Sequence, residues 1–259
     1  MSEPGWRAVS TSIRGSSHIR GGIPCQDASA LRRVGRDGEL LILALSDGAG
    51  SARHSDVGAE IVVRNWVECF TKLLEGAPDP EARLRRFDRG EALVLLEQIR
   101  REAGNEAEAF DADIGEFSAT LLGAVLTPKH ALVAQVGDGA WVGLREGIFG
   151  CLTWPTGGEF VGQTTFAISG SAGAALQMTH LPGTFTALAG FTDGMERLVL
   201  DLGKQLPERG FFLPMFRAFR SSPEQFQENL EEFLQSERVC ALTDDDKSFC
   251  LAIRPNADF

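Results

Sequence analysis

Apolar residues recur along this chain in two rhythms, and each rhythm predicts its own kind of element. Leu40 to Leu45 is an unbroken apolar run that ends in Ser46-Asp47-Gly48-Ala49-Gly50. A run of that length bounded by glycines predicts a strand buried on both faces that delivers one carboxylate to an open loop. Val57 to Leu74 instead places Ile61, Val62, Trp66, Val67, Phe70, Leu73 and Leu74 at helical spacing. This predicts a long amphipathic helix with Ser55 or Asp56 as its cap and His54 just ahead of it. Gly76-Ala77-Pro78-Asp79-Pro80 breaks the chain. Glu91 to Phe110 then predicts a second helix, with Leu93, Leu96, Ile99 and Ala103 along one stripe.

The remaining pattern is mostly strand-like. Trp6 to Ser12 alternates loosely, and a polar, glycine-rich loop follows from Gly15 to Asp27. Phe117 to Leu126, Leu132 to Val136 and Ala140 to Leu144 predict an antiparallel meander. Gln177 to Leu181 and Phe185 to Phe191 predict a strand pair around Pro182-Gly183, and Phe249 to Ile253 the last strand. Met195 to Leu206, Phe211 to Phe219 and Pro223 to Leu234 predict helices. Trp154 to Gly173 is the longest irregular stretch and a candidate flap over a site. With no internal repeat and no linker, residues 1–259 read as a single domain.

Composition narrows the function. A net charge of −11 with pI near 4.9 argues against a nucleic-acid surface or a polybasic membrane patch. The five cysteines are scattered with no Cys-x-x-Cys pair, and Cys69 and Cys250 sit in apolar runs that predict buried thiols. Met1 to Ser17 lacks a signal-length apolar core and no segment reaches membrane-spanning length, so the expectation is a reduced, cytoplasmic protein.

The chemistry lies in the aspartates. Asp47-Gly48, Gly137-Asp138-Gly139, Thr192-Asp193-Gly194 and Asp244-Asp245-Asp246 each fall at a predicted strand end. One Asp-Gly is an ordinary turn signal. Several carboxylates at strand ends, with no matching set of Cys or His, suit Mg2+ or Mn2+ rather than zinc. The Gly15–Asp27 loop adds His18, Arg20 and Asp27. A guanidinium there is suited to phosphate oxygens, although the same composition also describes a solvated turn.

The ordered set Gln26-Asp27, Asp47-Gly48-Ala49-Gly50, Phe117-Ser118-Ala119-Thr120, Gly137-Asp138-Gly139, Thr192-Asp193-Gly194 and Asp245-Asp246-Lys247-Ser248 resembles the metal-dependent protein phosphatases (protein phosphatase 2C, or PPM, family). Gly15-Ser16-Ser17-His18, Pro24-Cys25-Gln26-Asp27 and Glu159 to Phe166 are similar to a bacterial branch. The resemblance covers nearly the whole chain and implies an α+β fold, a four-layer α-β-β-α sandwich of two antiparallel sheets flanked by helices, with the metal site at one end. It implies that Asp47 bridges two Mn2+ or Mg2+ ions, that the Gly48 carbonyl completes the second, and that Asp193 and Asp245 ligate the first. Asp27 then holds a water of the metal shell and Asp138 belongs to a third, weaker site. The implied activity is serine/threonine protein phosphatase, hydrolysing phosphomonoesters by a hydroxide held between two ions, with phosphorylated proteins as substrates and a cognate Ser/Thr kinase in opposition.

Two departures from the family pattern stand out. Gln26 replaces a common Glu, and the phosphate-binding arginine is shifted in register, leaving Arg20 and His18 as candidates for gripping phosphate. Ala49 stands where many eukaryotic members carry a histidine, so His18 or His54 is left as a candidate proton donor. A catalytically weak member that binds a kinase or phosphoprotein is the competing reading, and a hydrolase of small phosphoesters a further one. Neither nucleic acid nor membrane is expected as a partner.

Overall fold

The computed structural model describes residues 5–35, 38–155, 164–182 and 185–254. In chain order the elements are β1 (Arg7–Ile13), α1 (Ser16–Gly21), β2 (Ala28–Val34), β3 (Leu40–Ser46), α2 (Ser55–Glu75), α3 (Pro80–Arg86), α4 (Arg89–Phe110), β4 (Leu121–Leu126), β5 (His130–Val136), β6 (Ala140–Arg145) and β7 (Ile148–Cys151). There follow α5 (Ala172–Ala175), β8 (Gln177–Pro182), β9 (Ala187–Phe191), α6 (Glu196–Val199), β10 (Leu200–Asp201), β11 (Leu206–Pro207), α7 (Arg209–Ser221), α8 (Pro223–Gln235), α9 (Glu237–Cys240) and β12 (Lys247–Ile253). Short 3-10 turns at Ile114–Phe117 and Asp193–Met195 complete the set.

Two five-stranded antiparallel sheets, ordered β1-β12-β9-β6-β7 and β2-β3-β4-β5-β8, pack face to face. Strand β3 shows why its sequence is apolar throughout. Leu40, Ile42 and Ala44 join the cluster under α2, α3 and α4, while Leu41, Leu43 and Leu45 join the layer between the sheets. Both faces of the strand are covered, so alternation has no polar side to express. A third cluster packs Val142, Ala189, Phe249, Leu251 and Ile253 against Phe212 and Phe216 of α7 and Phe226 and Leu230 of α8. The four layers run helix, sheet, sheet, helix, as expected.

Several expectations need correction. Gln177–Pro182 and Ala187–Phe191 do not pair with one another. The first pairs with β5 and the second with β12 and β6, in opposite sheets. Pro-Gly between two apolar runs looks the same whether the chain folds back or crosses over. The helix expected over Met195 to Leu206 is the single turn α6 followed by a small β10–β11 hairpin. The strand expected from Phe117 begins at Leu121, because Ile114–Phe117 forms a 3-10 turn. On α4 the buried stripe runs through Ala92, Leu95, Leu96, Ile99, Ala103 and Ala107, and Leu93 is exposed. Neither Ser55 nor Asp56 caps α2. His54 occupies that place without a side-chain cap and packs its ring against Phe110 and Phe117. Cys250 is buried as expected, whereas Cys69 is half-buried. The loop after Ile13 contains the short helix α1. Of the candidate flap, residues 156–163, Glu159 included, lie outside the described set.

The 3-10 turn before β4 rests directly on α2. A Cβ added at Gly58 would lie 2.1 Å from the carbonyl oxygen of Phe117. Alanine in a helix interior normally gains about 1 kcal/mol over glycine. Here the clash is with backbone, and overpacking of this kind costs about 1–3 kcal/mol. Gly58→Ala should therefore destabilise the protein by roughly 1 kcal/mol or more in urea unfolding. An unchanged or raised midpoint would show that the helix and turn are not in this contact.

Candidate metal centre

Strand register brings the aspartates together. Ala28 pairs with Ser46, which sets Asp27 beside Asp47 at one end of the β2–β3 ladder. Ala140 pairs with Phe191, which sets the Gly137–Gly139 turn beside Thr192 and Asp193. Residues 55 to 146 apart in sequence thus converge: Asp47, Asp138 and Asp193 each offer one ligand oxygen, and these oxygens lie within 4.8 Å of one another.

Threonines hold three of the acids in place. The amide of Asp47 donates to the Thr120 hydroxyl oxygen at 2.9 Å, and its carbonyl accepts the Thr120 amide at 2.8 Å. Gly48 threads between chains so closely that a Cβ there would sit 2.6 Å from the Gln26 carbonyl oxygen. Asp27 is buried, and its Oδ2 accepts the Thr192 hydroxyl at 2.8 Å. That hydroxyl oxygen in turn accepts the Ser248 amide at 2.9 Å, tying Asp27 to β12. Asp138 Oδ2 accepts the Thr164 hydroxyl at 2.6 Å, while Oδ1 is buried with no partner among the described residues.

Burial and mutual repulsion push Asp27, Asp47 and Asp193 up. Asp27 is raised to about 7, mainly by burial, with Asp246 adding repulsion. Asp193 rises to about 8 through burial and the charges of Asp138, Asp245 and Asp27. Asp47 stands well above the usual carboxylate range, by burial and then by Asp27, Asp193 and Asp138. Such a set is poorly tolerated as bare anions and well suited to a hard divalent cation. The buried Asp138 Oδ1, without a partner among the described residues, fits the same ligand.

The other candidates fall as follows. Asp245 is exposed, and its charge faces Asp193. Its turn is held by the buried Lys247, whose Nζ donates to the Asp245 carbonyl at 3.0 Å. Asp246, not singled out from sequence, is buried and accepts the amides of Gly15 and Gln26, both at 2.6 Å. His18 Nδ1 lies 2.8 Å from the same carboxylate, so His18 faces Asp246. Arg20 makes an ion pair with Asp244 at 3.1 Å, with both side chains about two-thirds exposed (66% and 64%). Neither His18 nor Arg20 has a hydrogen bond or ion pair with Asp47, Asp138 or Asp193. Glu196, also unmarked by the sequence, accepts the Gly139 amide at 2.8 Å, and burial lifts it to about 6. Only the Thr192-Asp193-Gly194 string signalled Thr192, and nothing signalled Glu196. A 460 Å3 cavity lined by Asp193, Arg197, Leu202, Leu242 and Asp245 opens beside the acids.

The family profile described as Protein phosphatase 2C matches residues 14–235. The chain belongs to the protein phosphatase 2C family. It is 32% identical over 255 residues to Serine/threonine-protein phosphatase 3 of Escherichia coli K12, covering 96% of this chain and 98% of that protein. The fold matches Serine/threonine phosphatase Stp1 from Staphylococcus aureus with TM-score 0.63 at 14% identity, over 98% of this chain and 97% of that one. It also matches the catalytic domain of the serine threonine protein phosphatase PstP, solved in complex with two manganese ions, with TM-score 0.62 at 15% identity, over 96% and 97%. The family is metal-dependent, and the acidic cluster of this protein phosphatase 2C chain supplies oxygen donors of the matching kind.

A carboxyl group with a higher pKa folded than unfolded binds more protons when folded, so it stabilises at low pH and loses that contribution as pH rises through its folded value. For Asp193 the window runs from the ordinary 3.8 to about 8. In chelated protein, thermal melts should show stability falling across this window, and Asp193→Asn should flatten the fall. Added Mn2+ should raise the melting temperature more at the alkaline end than at the acid end. A Mn2+ shift that is independent of pH would contradict proton and cation competing for these oxygens.

Proposed function

We propose that this chain is a metal-dependent serine/threonine protein phosphatase, a phosphoric monoester hydrolase using Mn2+ or Mg2+. The observation that carries the reading is the convergence of Asp47, Asp138 and Asp193 at one open end of the sandwich. The near full-length relative named as a serine/threonine phosphatase supports the substrate class. A complete acidic set favours catalysis over a purely binding role.

Bound divalent cations supply the Lewis acidity that lowers the pKa of water toward neutrality and offsets phosphoryl charge. When divalent cations bind, we assign Asp47 as the carboxylate they would share, Gly48 as a carbonyl that would join it, Asp193 and Asp245 as residues that would hold one ion, and Asp138 as one that would hold a third. Asp27 has one oxygen on the Thr192 hydroxyl, which leaves the other to orient water beside Asp47. Arg20 is assigned to phosphate: its exposed pair with Asp244 is of a kind worth little in water, so exchange for a phosphoryl group costs little. His18, turned to Asp246, is assigned to holding the N-terminal loop. We place the reaction in the cytoplasm on phosphorylated proteins, opposing a serine/threonine kinase, since such kinases create the phosphoester. No helix among the described residues is long and apolar enough to cross a membrane.

A phosphoserine peptide assay tests this directly. Activity should disappear in EDTA and return with excess Mn2+, and Asp47→Asn should lose at least roughly two orders of magnitude, about 2.7 kcal/mol of transition-state stabilisation. Full turnover in chelator, or near-native turnover by the variant at intact metal content, would refute the reading. Activity confined to nucleotides in a parallel panel would favour the small-phosphoester alternative. Arg20→Ala should raise KM with kcat little changed, since the contact forms with bound substrate as well as at the transition state. Unchanged constants would move the phosphate grip to another residue.

A further inference from the structure

Asp138 and Asp193 lie on separate turns that leave the same end of one sheet side by side, one before β6 and one after β9. A single side chain joins the two turns. Glu196 follows the 3-10 turn that carries Asp193, and its Oε1 accepts the Gly139 amide at 2.8 Å. From the other side Gln135, with no exposed surface, donates Nε2 to the carbonyls of Gly137 at 3.0 Å and Gly139 at 2.9 Å. The turn has little freedom of its own. Gly137 and Gly139 have φ of 104° and 78°, and a Cβ at Gly139 would meet the Phe191 carbonyl oxygen at 2.4 Å. The backbone of Asp138 is thus gripped on both flanks, while its buried Oδ1 has no partner among the described residues.

Glu196 holds this place against repulsion, since it stands close enough to Asp138 for the two charges to oppose each other. The hydrogen bond to Gly139 is the contact that offsets it. We propose that Glu196, backed by Gln135, is a positioning residue for cation capture: it spans the Asp138 and Asp193 turns and fixes the separation at which their oxygens converge with Asp47. The proposal rests on the reading of this cluster as a divalent-cation site. Groups that orient ligands from behind typically alter metal affinity by about 10–100-fold when removed.

Mn2+ binding to the chelator-stripped full chain, followed by electron paramagnetic resonance and without substrate, tests the proposal. Asp138→Ala first identifies the binding step that needs Asp138. Glu196→Ala should weaken that same step by about 10-fold or more and leave the others unchanged. Glu196→Gln retains the acceptor and should bind within about threefold of the parent. Glu196→Asp retains the charge, falls one methylene short of Gly139, and should resemble Glu196→Ala. Combining Glu196→Ala with Asp138→Ala should add nothing. Thermal melts of each variant confirm folding, and Glu196→Gln and Glu196→Asp, which keep a polar side chain in place, decide the matter should the alanine variant not fold. Parent-like binding by Glu196→Ala or Glu196→Asp, or failure of Glu196→Gln, would overturn the proposal. Absence of Mn2+ binding by the parent would instead overturn the cation-site reading, and inactivity on phosphopeptides with these affinities as expected would leave the positioning role standing.

Discussion

Like charges buried together are the constraint this structure is built around. Asp27, Asp47, Asp138 and Asp193 come from four loops and meet at one half-buried end of the sandwich, and burial with mutual repulsion raises Asp27, Asp47 and Asp193 above the usual carboxylate range. Folding alone gives no reason to gather them. The scaffold carries that cost because its three apolar layers are extensive, and because cations at the site turn repulsion into ligation.

The polar groups around the cluster show how the cost is contained. Asp246 is satisfied by two amides with His18 beside it, so one more buried acid becomes the anchor of the N-terminal loop. Thr192 connects Asp27 to β12 with a single hydroxyl, accepting the Ser248 amide and donating to the carboxylate. Lys247 buries its stem and places an ammonium on the carbonyl of Asp245, a positive charge among the acids. Each of these contacts lies outside the triad of converging oxygens, yet each sets where a ligand-bearing turn can go.

The chemistry follows from the same arrangement. Asp47, Asp138 and Asp193 present oxygens to one point and are flanked by a cavity whose acidic lining also includes Arg197 and two leucines. The pushed-up thiols of Cys25, Cys151 and Cys250 are poor nucleophiles. Hydrolysis by activated water needs no covalent relay, so the protein's task reduces to holding oxygens in place. That task suits a sandwich, whose paired strands define the loop positions rigidly.

Sequence by itself determined the buried strands, the helical faces and the identity of the acids, while the layers came only with the family resemblance. The double-sided apolar run of β3, the helical stripe of α2 and the recurrence of Asp at strand ends were all legible, because period and burial are local properties of a strand or helix. What only the tertiary structure decided was direction and partnership. The strands on either side of Pro182-Gly183 belong to opposite sheets, since hairpin and crossover share one local signature. Within Asp244-Asp245-Asp246 nothing local shows that the first pairs with Arg20, the second faces Asp193 and the third takes His18. Glu196 read as an ordinary residue of a helix, and its hydrogen bond to Gly139 exists only because β6 and β9 are neighbours. Periodicity records which residues are buried, whereas the contacts that aim a carboxylate depend on pairings between segments far apart in the chain.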